Sequence, residues 1–203
     1  RSEATSSDVQ KSGSRDLGEA LKKMPGIAVR SMGANTGRPV IRGASGNRII
    51  MAEDQMEASD FSKTSPDHAV SIAPALASSI QVQRGLDLLP WTGNLVGGKV
   101  HIKRHIIPNT LENLTRLGAD IYGPSYGVSG FAKKQHVFWS GDSTNATALQ
   151  ADAAWQDNRN TRTPNGETNN SQSQTINGSV GLFQKWKSHF LGIGVDWFTS
   201  EYG

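Results

Sequence analysis

The fold is constrained most by a strict alternation of apolar and polar residues in the second half of the chain. The alternation is clearest in residues 146–155, 175–183 and 189–197. Its period of two is that of a β-strand, in which successive side chains point to opposite faces of a sheet. Two noisier segments, residues 111–122 and 128–139, precede these three. The pattern predicts five antiparallel strands.

Alternation is compatible with a soluble β-sandwich whose sheets have one solvent-exposed face, and equally with a membrane β-barrel. Four tryptophans favour the barrel. In strands that run up and down, Trp139 and Trp186 end strands that point one way. Trp155 and Trp197 end strands that point the other way. Aromatic residues at both rims are typical of the girdles at the two membrane interfaces, so these four residues are predicted to be interface aromatics.

The connections between the strands also differ between the two sides of the sheet. Residues 142–145 and 187–188 are short turns on one side, whereas residues 158–171 form a long polar loop on the other. Short turns on one face and longer loops on the opposite face are the outer-membrane pattern. A short connection at residues 124–126 is an exception on the long-loop side. Together with the tryptophans, the connections favour a membrane barrel over a soluble sandwich.

Composition excludes several other classes of protein. The 203 residues include 21 Lys and Arg against 18 Asp and Glu, and this net charge of +3 does not predict nucleic-acid binding. The chain contains no cysteine, so disulfides and thiolate metal sites are excluded. No apolar run approaches the roughly 18–20 residues of a transmembrane helix, but a transmembrane strand needs only about 9–11. Neither a phosphate-binding loop nor a nucleophile elbow is present, and no enzyme is predicted.

The first half of the chain, before Pro108, mixes helix and strand signals. Asp16 is a candidate N-cap for a helix with its apolar residues on one face, and Pro25-Gly26 ends that helix. Residues 71–79 could form a second short helix. Short strands are predicted at residues 27–30, 39–42, 48–51, 80–84 and 99–103.

Five motifs punctuate this half in a fixed order. They are Met24-Pro25-Gly26-Ile27, Ile41-Arg42-Gly43, Glu53-Asp54, Val82-Gln83-Arg84-Gly85, and Leu88-Leu89 through Gly97-Gly98-Lys99-Val100. In order and spacing they resemble the plug domain of TonB-dependent outer-membrane receptors. The resemblance implies an α+β plug domain followed by antiparallel transmembrane β-barrel strands that form an incomplete barrel. It divides the chain into an N-terminal tail (1–15), the plug (16–107) and the first five or so barrel strands (108–203).

The same resemblance implies a function and a set of partners. Such receptors lie in the outer membrane of Gram-negative bacteria, in contact with lipid and lipopolysaccharide, and take up a scarce ligand through a plugged barrel of about 22 strands. The periplasmic protein TonB pairs with a segment near the N-terminus by strand addition and supplies energy from the inner membrane. No cofactor is required. Arg42 and Arg84, each beside a glycine at a strand end, are predicted to anchor the plug to carboxylates of the barrel wall.

Asp67-His68 is a candidate ligand site in the polar segment between plug strands. A carboxylate next to an imidazole supplies two ligands to a borderline metal such as zinc, and barrel loops would supply the others. The segment Ser65-Pro66-Asp67-His68 is similar to the plug of outer-membrane zinc-uptake receptors, in which such a pair contributes to a zinc site. A simpler alternative is that Asp67 caps a short helix and His68 has no special role.

Two alternatives to metal-ion uptake follow. The first is the same class of transporter with an iron-siderophore, haem or cobalamin as its ligand. The second is a soluble all-β ligand- or glycan-binding module behind an α+β domain.

Overall fold

Two five-stranded sheets dominate the computed structural model, which describes residues 2–11, 14, 16–31, 36–54, 56–58, 65, 68, 70–84, 97–122, 127–140 and 144–203. The first, the plug sheet, mixes parallel and antiparallel pairs. In spatial order its strands are β1 (Ser2–Thr5), β6 (Ser79–Gln83), β7 (Gly98–Lys103), β4 (Ile49–Glu53) and β5 (Met56–Glu57). A separate hairpin pairs β2 (Ile27–Arg30) with β3 (Arg38–Ile41).

Two short α-helices accompany the plug sheet: α1 (Ser6–Lys11) and α2 (Leu17–Leu21). Asp16 caps α2 as predicted, because its Oδ1 accepts a hydrogen bond from the Glu19 N–H at 2.9 Å. The predicted helix at 71–79 is reduced to a single 3₁₀ turn, Pro74–Leu76. No helix in the described residues is long and apolar enough to cross a membrane.

The plug has an apolar core of its own. Its central side chains are fully buried between the plug sheet, α2 and the β2–β3 hairpin: Leu17, Leu21, Ile41, Ile80, Val82, Val100 and Ile102. Residues 1–15, which the sequence suggests as a tail, contain α1 and the strand β1, whose backbone pairs with β6. The N-terminal segment therefore lies along an edge of the plug sheet.

The second sheet, the wall sheet, is an antiparallel meander. Its five strands confirm the predicted number and lie in the order β8 (Leu114–Tyr122), β9 (Gly127–Ser140), β10 (Asn145–Asn158), β13 (Ser173–Trp186) and β14 (His189–Tyr202). The connection between β10 and β13 carries a small hairpin of β11 (Arg162–Thr163) and β12 (Gly166–Glu167). The sheet does not close on itself, in keeping with the incomplete barrel that the sequence predicts.

The wall sheet buries its polar face and exposes its apolar face. The face toward the plug carries buried polar side chains: Lys133, Gln135, Gln150, Asp152, Asn177 and Ser179, each at most 4% exposed. The opposite face carries apolar side chains that are 40–64% exposed: Leu149, Val180, Leu182, Ile193 and Val195. A soluble sandwich hides its apolar face, whereas a membrane barrel turns that face to lipid. The inverted pattern therefore favours the membrane alternative.

Candidate functional site

The plug meets the wall sheet through a buried charged cluster around Arg104, the first residue after β7. The Arg104 side chain is fully buried, and its Nη2 lies 2.6 Å from Asp152 Oδ1 on β10. The Ser179 hydroxyl on β13 donates to the same oxygen at 2.8 Å. On β9, the Lys133 ammonium lies 4.0 Å from Asp152 Oδ2. One carboxylate of the wall thus holds a guanidinium of the plug, which is the geometry of a charge-assisted anchor.

Wall side chains also bind the backbone of the linker between β7 and β8, residues 104–113. Lys133 Nζ donates to the Arg104 carbonyl at 2.5 Å, and Gln150 Nε2 donates to the carbonyl of His105. Further along, Gln135 Nε2 donates to the carbonyls of Thr110 and Glu112, both at 2.8 Å. Because a linker without secondary structure leaves its carbonyls unpaired, these polar side chains replace the partners that a strand would provide.

The linker is fixed from the plug side by Asp54, at the end of β4. Its Oδ1 accepts hydrogen bonds from the N–H groups of Arg104 and His105, both at 2.9 Å, and its Oδ2 accepts one from Ile106 at 2.7 Å. Asp54 and His105 both have positive φ, at 44° and 58°. The acidic turn at Glu53-Asp54 therefore works as a cap for the start of the linker.

Glycines on the wall make room for the linker. A Cβ at Gly181 would overlap the Ile106 carbonyl, and a Cβ at Gly192 or Gly194 would press on the side chains of Ile107 and Ile106. These three positions allow the linker to lie against the backbone of β13 and β14. The glycines are thus part of the junction, together with the charged cluster.

Glu53 places a second carboxylate beside Arg104. Burial, the largest effect, raises the pKa of Glu53 from 4.5 to about 7, and the charge of Asp54 adds to the rise. The Arg104 guanidinium lowers it, but Nη1 is 3.7 Å from Glu53 Oε1 and the neighbouring Nη2 is already paired with Asp152. Within the described residues Glu53 Oε1 has no hydrogen-bond partner. Burial therefore outweighs the ion pair, and the protonated form of Glu53 is favoured near neutral pH.

The raised pKa predicts that the plug becomes less stable as pH rises from about 4.5 to about 7. The native state binds the proton more tightly than the unfolded chain, so this contribution is complete below the unfolded pKa and is lost as pH rises through the folded pKa. The loss is expected to be on the order of 2–3 kcal/mol. Unfolding of the full-length receptor at several pH values should show the slope, and Glu53→Gln should flatten it. Glu57→Gln, at an exposed neighbour, should leave it intact; an unchanged slope in Glu53→Gln would contradict the assignment.

The predicted anchor residues, Arg42 and Arg84, lie at strand ends of the plug. Arg42 is exposed in the turn after β3 and has a φ of 52°. Arg84 follows β6, and its Nη2 donates to the carbonyl of Pro25 at 2.8 Å, inside the plug. Their contact with a barrel wall stays a prediction, because the five wall strands are only part of such a wall.

The predicted metal ligands fall in a segment that is only partly described. Asp67 lies outside the described residues. His68 is half-buried, its N–H donates to the Ser65 carbonyl at 3.3 Å, and its own carbonyl accepts from Arg38. In the described part of the chain no group of three or more His, Asp or Glu side chains could hold a metal ion. The zinc site therefore stays a prediction.

The four tryptophans lie at the two rims of the wall sheet, each 41–53% exposed. The register places Trp186 opposite Asn145 at one rim, and Trp155 opposite Ile176 at the other. Trp155, Trp186 and Trp197 share the exposed apolar face. Trp139 pairs with Ala146 and therefore belongs to the row of Lys133, Gln135 and Val137, which faces the plug. On the exposed face near that rim lies Phe138 instead, at 53% exposure.

Sequence reasoning missed Arg104 and Asp152, the centre of the junction. A signal for Asp152 was available, since it is a charged residue in a strand whose alternate positions are apolar. Such a residue belongs to the inward face of a membrane barrel. Arg104 gave no comparable signal. Its partner is 48 positions away, and the pairing depends on the register between the two sheets.

Comparison with known proteins agrees with this architecture. Residues 1–98 match the family model of the TonB-dependent receptor plug domain. The fold of the chain is similar to the siderophore receptor PirA from Acinetobacter baumannii (TM-score 0.71, 16% identity) and to the copper transporter OprC (TM-score 0.70, 19% identity). It is also similar to the ferric enterobactin receptor PfeA from Pseudomonas aeruginosa (TM-score 0.69, 16% identity).

The three structures are longer proteins. Each alignment covers 99% of this chain but only 31–33% of the other protein, so the chain spans about a third of their length. The matched third contains the plug and the first wall strands. The matched proteins are receptors and a transporter by name. Residues 1–98 are thus a TonB-dependent receptor plug domain, and together with the five-stranded wall they have the fold of the first third of such receptors.

Proposed function

We propose that the chain is the plug (16–107, preceded by residues 1–15) and the first wall strands (108–203) of a TonB-dependent transporter that takes up a scarce metal ion or metal complex. The observation that carries this proposal is the Arg104–Asp152 ion pair at 2.6 Å, which ties the plug to the polar face of the wall. A plug held by charged groups can be released without exposing an apolar core. Such an attachment suits a gate that opens and closes.

The wall sheet has the dimensions that the membrane requires. The ten residue-to-residue steps from Asn145 to Trp155 separate the two aromatic rims and span about 33 Å at about 3.3 Å per step. At a tilt of about 40° this corresponds to about 25 Å across the membrane, which is the height of the apolar band of outer-membrane barrels. Trp155, Trp186 and Trp197 would then lie at the lipid interfaces, whereas the ring of Trp139 would lie at the rim on the plug side.

Asp67 and His68 are the proposed plug ligands of the transported metal, with zinc as the first candidate. A carboxylate and an imidazole are suitable zinc ligands, and the remaining ligands would come from barrel loops. Zinc is here the transported substrate and not a cofactor. The similar structures include a copper transporter and receptors for siderophores, which supports a metal ion or a metal chelate as the ligand class. The alternative within the same transporter class is an iron-siderophore, haem or cobalamin.

The partners follow from the family and are part of the proposal. TonB would pair with a segment near the N-terminus by strand addition and draw energy from the inner membrane. Lipid and lipopolysaccharide would contact the exposed apolar face of the wall sheet. We propose that Arg42 and Arg84 contact parts of the barrel wall that lie beyond the five strands.

Zinc binding and uptake by the full-length receptor test the ligand. We expect zinc to bind the purified receptor in calorimetric titration, and Asp67→Ala/His68→Ala to weaken binding by roughly 100-fold, since two of about four ligands are lost. Uptake of radiolabelled zinc should require both TonB and the pair. Asp8→Ala/His189→Ala, which removes the same residue types elsewhere, is the control. Unchanged zinc affinity in the Asp67/His68 variant would rule out the pair, and binding of a siderophore in place of zinc would favour the alternative.

A further inference from the structure

Arg38, the first residue of β3, holds the segment that contains the proposed metal ligands. It is only 7% exposed. Its Nη2 donates to the Ser65 carbonyl at 2.6 Å and to the His68 carbonyl at 3.2 Å. These two carbonyls belong to the residues on either side of positions 66–67. A single buried guanidinium nitrogen therefore bonds the residue on each side of positions 66–67.

The backbone beside Arg38 is in turn tied to the start of α2. Asp16 Oδ2 accepts a hydrogen bond from the Gly37 N–H at 2.9 Å, while its Oδ1 caps α2 through Glu19. The Gly37 carbonyl accepts from the Gly18 N–H at 3.3 Å. Any Cβ at Gly37 would overlap the Asp16 carboxylate, so the close approach requires glycine. The start of α2 consequently fixes the backbone next to Arg38. The side chain of Arg38 in turn holds the carbonyls of Ser65 and His68.

We propose that Arg38 is the positioning residue of the 65–68 segment and couples it mechanically to Asp16 at the N-terminus of α2. Hydrogen bonds from a charged donor are stronger than those from a neutral donor, and this donor reaches two carbonyls with one rigid group. Residues 1–15 directly precede Asp16. A pull on them acts on the Asp16–Gly37 contact and, through Arg38, on the carbonyls of Ser65 and His68. The role in ligand binding rests on the proposed function of Asp67 and His68.

Hydrogen exchange of the full-length receptor, followed by mass spectrometry, tests the positioning role. Arg38→Gln should raise the exchange rate of the peptide covering residues 64–72 about tenfold or more, while peptides from β6 and β7 stay protected. Arg38→Lys keeps the charge but loses the planar fork, so it should rescue only part of the protection. Arg48→Gln, the same change at an exposed arginine of the plug, should leave the 64–72 peptide unchanged. Equal exchange of that peptide in wild type and Arg38→Gln would overturn the proposal.

Asp16→Asn tests the coupling separately. Asparagine still caps α2, but its neutral amide weakens the contact with Gly37. Coupling through Gly37 and Arg38 should make residues 64–72 exchange faster in this variant than in wild type. Protection at residues 64–72 equal to that of wild type would overturn the coupling.

Zinc titration of the same variants separates this inference from the proposed function. If both hold, Arg38→Gln should weaken zinc binding about tenfold. Zinc binding that depends on Asp67 and His68 but is the same in Arg38→Gln, with unchanged exchange, would overturn the inference and leave the zinc site standing. An exchange response in Arg38→Gln in a receptor that binds no zinc would support the positioning role and reject the zinc site.

Discussion

Asp152→Ala in the full-length receptor is expected to destabilise the attachment of the plug by about 3–5 kcal/mol, because it leaves Arg104 buried without its carboxylate. The side chains of Arg104 and Asp152 are both fully buried, and Lys133 is only 3% exposed. Neither cation can recover the lost interaction from water. The measurement is the free energy of opening of β7, from native-state hydrogen exchange of its amides.

Two further variants make this result specific. Asp152→Asn keeps an acceptor for Arg104 and Ser179 but removes the charge, so it should cost less than Asp152→Ala. Glu167→Gln breaks the exposed pair with Arg162, whose side chains are 61% and 50% exposed, and should cost about 0–1 kcal/mol. If Asp152→Ala had as small an effect as Glu167→Gln, the plug would have to be held by other contacts.

Gly181→Ala is expected to displace the linker from the wall and to cost about 1–3 kcal/mol, the usual range for an overpacked contact. The added Cβ would meet the backbone carbonyl of Ile106, which cannot rotate away as a side chain could. Ile106 is also bonded to Asp54 through its N–H, so the strain should reach the cap of the linker. The opening free energy of β7 and the exchange of residues 104–113 both report this change.

Gly130→Ala is the matched control for this glycine. It also lies within a wall strand, but the nearest atom to its added Cβ is the Gly118 carbonyl oxygen at 3.7 Å, an ordinary contact. Replacing glycine by alanine in a strand stabilises the chain slightly in both variants, so the difference between them isolates the clash. Equal stabilities of the two variants would show that the linker does not approach the wall at Gly181.

The wall sheet was largely predictable because a period of two needs no tertiary information. The core of β10 and β13 was found from alternation, but both strands are longer than predicted. β14 also continues past Trp197 to Tyr202, where Thr199-Ser200-Glu201 no longer alternates in hydropathy yet still pairs with β13. Backbone pairing extends a strand beyond its apolar stretch. Periodicity therefore reveals the apolar part of a strand and misses its polar ends.

The side of the sheet on which a residue lies was harder to predict than its strand. Trp139 was grouped with the other rim tryptophans from its position near a strand end. Because Trp139 pairs with Ala146, its side chain lies on the face toward the plug. Phe138 lies on the exposed face instead. A shift of one residue in the pairing moves every side chain of a strand to the opposite face. Only the register between paired strands therefore shows on which face a given residue lies.

The candidate site depended even more on tertiary structure. The family motifs located Glu53-Asp54 as an acidic turn but not its role as a cap of the linker. Arg38 gave no signal, because the backbone carbonyls of Ser65 and His68 that it binds lie 27 and 30 positions away. Contacts of a side chain with a distant backbone leave no pattern in the sequence.

The position of Asp152 bears on how such a receptor is assembled. Lys133, Asp152 and Ser179 lie on β9, β10 and β13, so the cluster that holds Arg104 is complete once the first strands after the plug have paired. The plug can therefore dock on the open five-stranded wall sheet. The later strands of a receptor barrel can then pair around the docked plug. No folded domain has to be threaded into a finished cylinder, and the short separation of 48 residues between Arg104 and Asp152 keeps the entropy of this early loop closure low.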